Sequence, residues 1–127
     1  MEDQELERYR KRRTNRIDKQ LDRIASMVDE EDMMIEILEL LPETEIIPTI
    51  GKYYTFIYTA KTPELQYDQH PLIACTSIYR WGFTGLNYHW PGFHNYTWQE
   101  VQGLLHVVYP MELTDLRSIP YQKFITK

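Results

Sequence analysis

Four histidines, one cysteine and a run of basic residues are the side chains here with types and spacing suited to chemistry. Asp68 and His70 stand two apart, and His89 and His94 flank Pro91-Gly92. A zinc site needs three or four ligands in fixed geometry, and the chain contains neither H-x-x-x-H nor H-E-x-x-H. Asp68, His70 and His89 are the set that folding would have to bring together. His70 precedes a proline in a loop, however, and His89 alternates within an aromatic strand. Neither a metal nor another cofactor is therefore expected. Cys75 lies mid-strand between Ala74 and Thr76, where a cysteine behaves as a small buried hydrophobe. Ser77 and Ser118 lack the context of a nucleophile elbow. Gly82-x-x-Gly85 opens no helix carrying a lysine, so it is not a phosphate loop. No catalytic residue is assigned, and the chain is expected not to be an enzyme.

The charge pattern is more informative. Residues 8–23 contain eight basic and two acidic residues, whereas residues 29–45 contain eight acidic and no basic ones. Arg8, Arg10, Lys11, Arg12, Arg13 and Arg16 are candidate contacts for nucleic acid, because lysine and arginine clustered on a helix neutralise phosphates and release counterions. The competing readings are a solvated helix end, or pairing with an acidic segment such as residues 29–45 of a neighbouring chain. Base stacking on the aromatic strands is poorly supported, because residues 52–59 and 72–90 hold only Lys52 and Arg80 as basic partners.

These residues must be positioned by a helical arm, residues 1–45, and a β-rich body, residues 46–127. Residues 3–28 contain no Gly or Pro and read as a helix. Ile17, Leu21, Ile24 and Val28 step by a/d spacing, and the same register continues through Ile35 and Leu38. This apolar seam is the predicted helical interaction surface. One helix to Leu41 fits the spacing, as does a break at Asp29 with Asp29 capping a second helix. The like charges of Asp29-Glu30-Glu31-Asp32 favour two helices or a bent one. Extended backward, the seam lands on Arg13 and Arg10, so it is expected to dissolve into a solvated or anion-binding end.

Pro42 to Pro48 reads as a linker. Beyond it the period changes to two, with strands expected over 52–59, 72–79 and 86–90. Lys61-Thr62-Pro63-Glu64 and Asp68-Gln69-His70-Pro71 read as loops, and Gly82 and Gly85 as a bend or tight hairpin. Thr97-Trp98-Gln99-Glu100 has the form of a capping box. Val101, Leu104, Leu105 and Val108 behind it predict a helix from Trp98 to Tyr109. A further helical turn over 114–117 and a last strand over 121–126 complete the body. The fold class is α+β: a helical arm, then a small antiparallel SH3-like sheet or partial barrel with one helix.

The totals set limits. The 127 residues make one domain's worth of chain, and 16 of the 17 aromatics follow Gly51. A single cysteine excludes an internal disulfide framework. No apolar run approaches the roughly 18 residues of a membrane span, and the acidic start does not read as a secretory signal. No membrane partner is expected. The body is small enough that packing against a partner is expected, and its aromatic excess suits a protein interface.

Three segments carry a resemblance. Tyr53-Tyr54-Thr55-Phe56 with Lys61-Thr62-Pro63, then Tyr67-Asp68-Gln69-His70-Pro71-Leu72-Ile73, then Gly85-Leu86-Asn87-Tyr88-His89-Trp90, resemble small proteins of contractile-tailed bacteriophages, in particular phages of marine cyanobacteria. The resemblance spans residues 51–125 and leaves out the arm. It implies a minor virion component of the tail or baseplate, assembled in the host cytoplasm. The implied partners are other phage structural proteins, in a homo- or hetero-oligomer, and the implied role is non-enzymatic.

Overall fold

A computed structural model describes residues 2–61 and 66–126. Three of the four residues of the expected loop 61–64 lie outside that set. Helix α1 (Glu2–Ala25) ends in a short turn, and α2 (Glu30–Leu40) follows. Asp29 sits in extended backbone and its carboxylate accepts the Glu31 amide at 2.7 Å, which caps α2. The helices are therefore two, as the acidic cluster suggested.

The body contains β1 (Thr44–Glu45), β2 (Tyr53–Tyr58), β3 (Gln66–Asp68), β4 (Leu72–Ile78), β5 (Gly82–Asn87), β6 (Gly92–Thr97) and β7 (Val101–Val108), then α3 (Leu113–Ser118) and β8 (Phe124–Thr126). A six-stranded sheet runs β1-β7-β2-β4-β5-β6, and β3 pairs with β8 separately. Every pairing is antiparallel. The α+β class holds. The large sheet is open, with β1 and β6 at its edges, and is not closed into a barrel.

The predicted helix from Trp98 to Tyr109 is wrong. Only Trp98–Glu100 forms a 3-10 turn, and the rest is strand β7. Thr97 makes no side-chain cap bond. Glu100 instead accepts the Tyr58 hydroxyl at 2.7 Å, so the apparent capping box serves a tertiary contact. Gly103 has φ +80°, outside the helical region, and lies where the β2–β7 register shifts between Thr55 and Ile57. Two valines and the buried Leu105 and Val107 fit the pleat as well as they fit a helical stripe. Tertiary pairing along β2 decides between the two. Three smaller differences belong with it. The linker contains β1, paired with Leu105 and His106 of β7. Gly92–Thr97 is a strand, and β5 starts at Gly82 and ends at Asn87 instead of spanning 86–90. A Cβ at Gly82 would lie 2.0 Å from the Tyr96 carbonyl oxygen, so only glycine permits this approach of β5 to β6.

Alternation along β2 separates two cores. Tyr54, Phe56 and Tyr58 enter an aromatic cluster with Phe83, Tyr96 and Tyr109. On the other face, Thr55 bonds the Pro71 carbonyl and the Tyr121 hydroxyl, each at 3.0 Å. There Ile17, Ile24, Met34, Ile37 and Leu41 of the helical segment share one buried cluster with Leu72, Val108, Leu116, Ile119 and Tyr121. Fully burying one such aliphatic side chain stabilises by about 1.5–3 kcal/mol.

Candidate functional site

The basic helix has two different faces. Arg13 is fully buried, and so is Glu112. Arg13 Nε donates to Glu112 Oε2 at 3.0 Å and Nη2 donates to Oε1 at 2.7 Å. Nη2 also donates to the Val107 carbonyl. The guanidinium carbon lies 3.8 Å from the Tyr109 ring centroid, a cation–π contact. Glu112 accepts two more bonds, from the Thr14 hydroxyl at 3.2 Å and the Tyr109 amide at 2.8 Å. Arg13 therefore anchors α1 to the body, and the seam does not dissolve there. The heptad register that placed Arg13 on the apolar stripe was the signal, and it pointed to burial, not to a solvated end. Arg13 is accordingly removed from the candidate nucleic-acid contacts.

Arg8, Arg10, Lys11, Arg12 and Arg16 are exposed. Arg10 lies over the same Tyr109 ring, 5.2 Å from its centroid. Arg12, Arg16 and Lys19 gather with Tyr9 and Asn15 around a shallow hollow on the solvent side of α1. Part of the acidic block is met within the chain. Arg23 pairs with Glu36 at 3.0 Å, and Lys123 pairs with Glu31.

The predicted seam divides in the same way. Ile17 and Ile24 are buried inside the chain and cannot also serve a partner, and Leu21 and Leu38 pack partly against the same cluster. Val28 falls in the turn after α1, where the heptad no longer applies, and is 96% exposed. α2 turns Met33, Met34 and Ile37 inward, which leaves Ile35 on its outer side.

The aliphatic exposure continues outside the seam. Ile46, Ile47 and Ile50, in the segment between β1 and β2, are 79%, 63% and 60% exposed. Ile46 and Ile47 border a groove of about 260 Å³ whose other walls include Phe83, Trp98, Val101 and Leu105. The groove runs beside β7. On that side β7 is covered by β1 at Leu105 and His106 and by the Glu43 carbonyl at the Val107 amide, so residues 101–104 have no strand partner there among the described residues.

The candidate chemical residues fall into place individually. Cys75 is buried, and burial pushes its thiol pKa up, away from nucleophilic use. Asp68 accepts the His70 amide at 2.9 Å and the Asn87 side-chain amide at 3.1 Å. Burial lowers the pKa of both His70 and His89, against the raising effect of the Asp68 charge on each. Neither ring nitrogen of either histidine has a hydrogen-bond partner among the described residues. No group of three or more His, Cys, Asp or Glu among the described residues is arranged to hold a metal ion. Asp68 also borders a cavity between β6 and β3, walled by aromatic rings and polar side chains. No sequence pattern marks this cavity, because its lining is drawn from segments far apart along the chain.

Comparison with protein-family models, with curated proteins and with solved structures returns no match for this chain. No described helix is long and apolar enough to cross a membrane.

Proposed function

We propose that this chain is a non-enzymatic assembly protein that works by docking onto other protein subunits, and, on the resemblance of residues 51–125, that it serves as a minor component of the tail or baseplate of a contractile-tailed phage particle. One observation supports the docking reading above the others: the apolar groove of Ile46 and Ile47 runs beside the unpartnered edge of β7 at residues 101–104. An open strand edge offers amide and carbonyl groups in a row, and a neighbouring apolar groove takes alternate side chains of an added strand. The occupant that fits is an extended segment of a partner subunit, paired to β7 with apolar residues over Ile46 and Ile47. Trp98 in the groove wall supplies the kind of aromatic anchor that dominates binding energy. Mass spectrometry of purified particles, combined with a photo-crosslinker at Ile47, tests both halves. The expected result is this chain in the particle, crosslinked to a single structural protein. Particles that lack the chain overturn the phage assignment, and absence of any crosslinked partner overturns the docking mode.

A second reading, nucleic-acid binding, is favoured by the exposed grouping of Arg12, Arg16 and Lys19 around Tyr9. It requires DNA or RNA affinity that falls steeply with salt. A gel shift showing no complex at about 50 mM salt, where phosphate contacts are strong, removes it.

A further inference from the structure

The open side of the large sheet, between edge strand β6 and β3, holds a cavity of about 490 Å³. Three tyrosines form its inner wall. The Tyr58 ring stands at 80° to Tyr67 and 89° to Tyr96, with centroids 6.3 and 5.1 Å away. The rings therefore pack edge to face against one another. Trp81, Trp90 and Phe93 stand at the mouth, and Trp81 and Phe93 are 45% and 68% exposed. Two carboxylates, Asp68 and Glu100, belong to the same lining, and both are buried. Lysine and arginine are absent from the described lining residues.

This composition selects among ligands. An anionic ligand would meet two carboxylates and, among the described lining residues, no lysine or arginine. A wholly apolar ligand would make no favourable contact with the two carboxylates. A bare metal ion is a poor match for a space in the size range of organic ligands, whose lining shares aromatic rings with the neutral polar side chains of Gln66, Asn95 and Thr97. An organic cation satisfies both wall types, because ring faces and carboxylates each attract positive charge. Asp68 retains acceptor capacity for it: a carboxylate has about four lone-pair sites, and His70 and Asn87 take one bond each.

We propose that this cavity binds an alkylammonium group. The chemistry is shared by the end of a lysine side chain on a partner protein and by a free primary amine. The test uses the full chain with indole proton–nitrogen signals of Trp81 and Trp90 as reporters. The probes are n-butylammonium and its neutral counterpart butan-1-ol, and a capped Gly-Lys-Gly peptide with its norleucine counterpart. The charged probes are expected to shift both indoles saturably, and the neutral ones to bind at least about tenfold more weakly, the scale of a single cation–π or charge contact. Trp90→Ala is expected to abolish the shift of Trp81. Asp68→Asn is expected to weaken binding by about tenfold, with Trp81→Ala as a rim variant should loss of the Asp68 charge disturb folding. Tighter binding of the lysine peptide than of n-butylammonium assigns the site to a partner's side chain, and equal binding assigns it to a free amine. Butan-1-ol binding as well as n-butylammonium, glucose shifting the same signals where n-butylammonium does not, or no probe binding at all, overturns the proposal.

Discussion

Arg13 and Glu112, 99 positions apart, close a bidentate ion pair with both side chains fully buried. Its geometry explains why α1 has one fixed rotation on the body. The planar guanidinium is gripped by the carboxylate, the Val107 carbonyl and the face of Tyr109. Glu112 in turn collects donors from α1, through Arg13 and Thr14, and from Tyr109, whose amide caps the 3-10 turn Pro110–Glu112. The carboxylate thus joins the first helix to the segment between β7 and α3.

Breaking one half of that pair strands a buried charge. Glu112→Ala is expected to destabilise the chain by about 3–5 kcal/mol, read as a lower urea midpoint. Replacing both halves with apolar residues of similar size, Arg13→Met with Glu112→Leu, is expected to recover most of the loss, because no unpaired charge remains. A double variant no more stable than Glu112→Ala alone would show that the pair's hydrogen bonds to Thr14, Val107 and Tyr109 matter more than its charge balance.

Gly103 offers a direct test of strand against helix over 101–108. Within a helix, Gly→Ala stabilises by about 1 kcal/mol. At φ +80° in β7 the same change introduces backbone strain, although a Cβ there meets no atom within 4 Å. Gly103→Ala is therefore expected to destabilise by about 1 kcal/mol or more. A rise in thermal midpoint would contradict the strand.

Much of the fold was legible because single residues carried decisive local physics. Asp29 marked the second helix through its capping oxygen, and Tyr53 to Tyr58 marked a strand through aromatic and β-branched content with period two. What misled was ambiguity between periods. Val101, Leu104, Leu105 and Val108 suit a helix, and only the pairing of that segment with β2, about 50 residues away along the chain, makes it a strand. For the candidate sites, the basic residues of α1 were visible but their division was not. Arg13 differs from Arg12 and Arg16 only through Glu112, whose place beside it depends on the whole fold. The cavity is the extreme case: Tyr58, Asp68, Trp90 and Tyr96 carry no common pattern in sequence and meet through sheet topology.

His70 and His89 predict a loss of stability in acid. Burial is the leading cause that lowers both pKa values; for His70 it acts with Lys123 against Gln69, Asp68 and Glu31, and for His89 against Asp68 and the carbonyls of Leu116, Arg117 and Ile119. A histidine depressed in the fold prefers the neutral form there, so the unfolded chain takes up protons first as pH falls. The contribution is complete above the ordinary histidine value of about 6.5 and is lost as pH falls through the folded value. Urea midpoints are expected to drop from pH 8 to pH 5, and His70→Gln with His89→Gln to flatten that slope. An unchanged slope in the double variant would place the acid sensitivity elsewhere.

The groove beside β7 separates stability from assembly. Ile46 and Ile47 are exposed and lie outside both buried clusters, so polar substitutions there remove little that folding depends on. Ile46→Asp with Ile47→Asp is expected to change stability by no more than about 0.5 kcal/mol, as for ordinary surface sites. The same pair places two charges where an added strand would bury its side chains, and a desolvated, unpaired carboxylate is costly at an interface. Incorporation into particles is therefore expected to fail while the purified chain keeps its urea midpoint and circular dichroism. Normal incorporation of the variant would mean that the partner docks elsewhere, with Val28 and Ile35 on the outer side of the helical segment as the next surface to substitute.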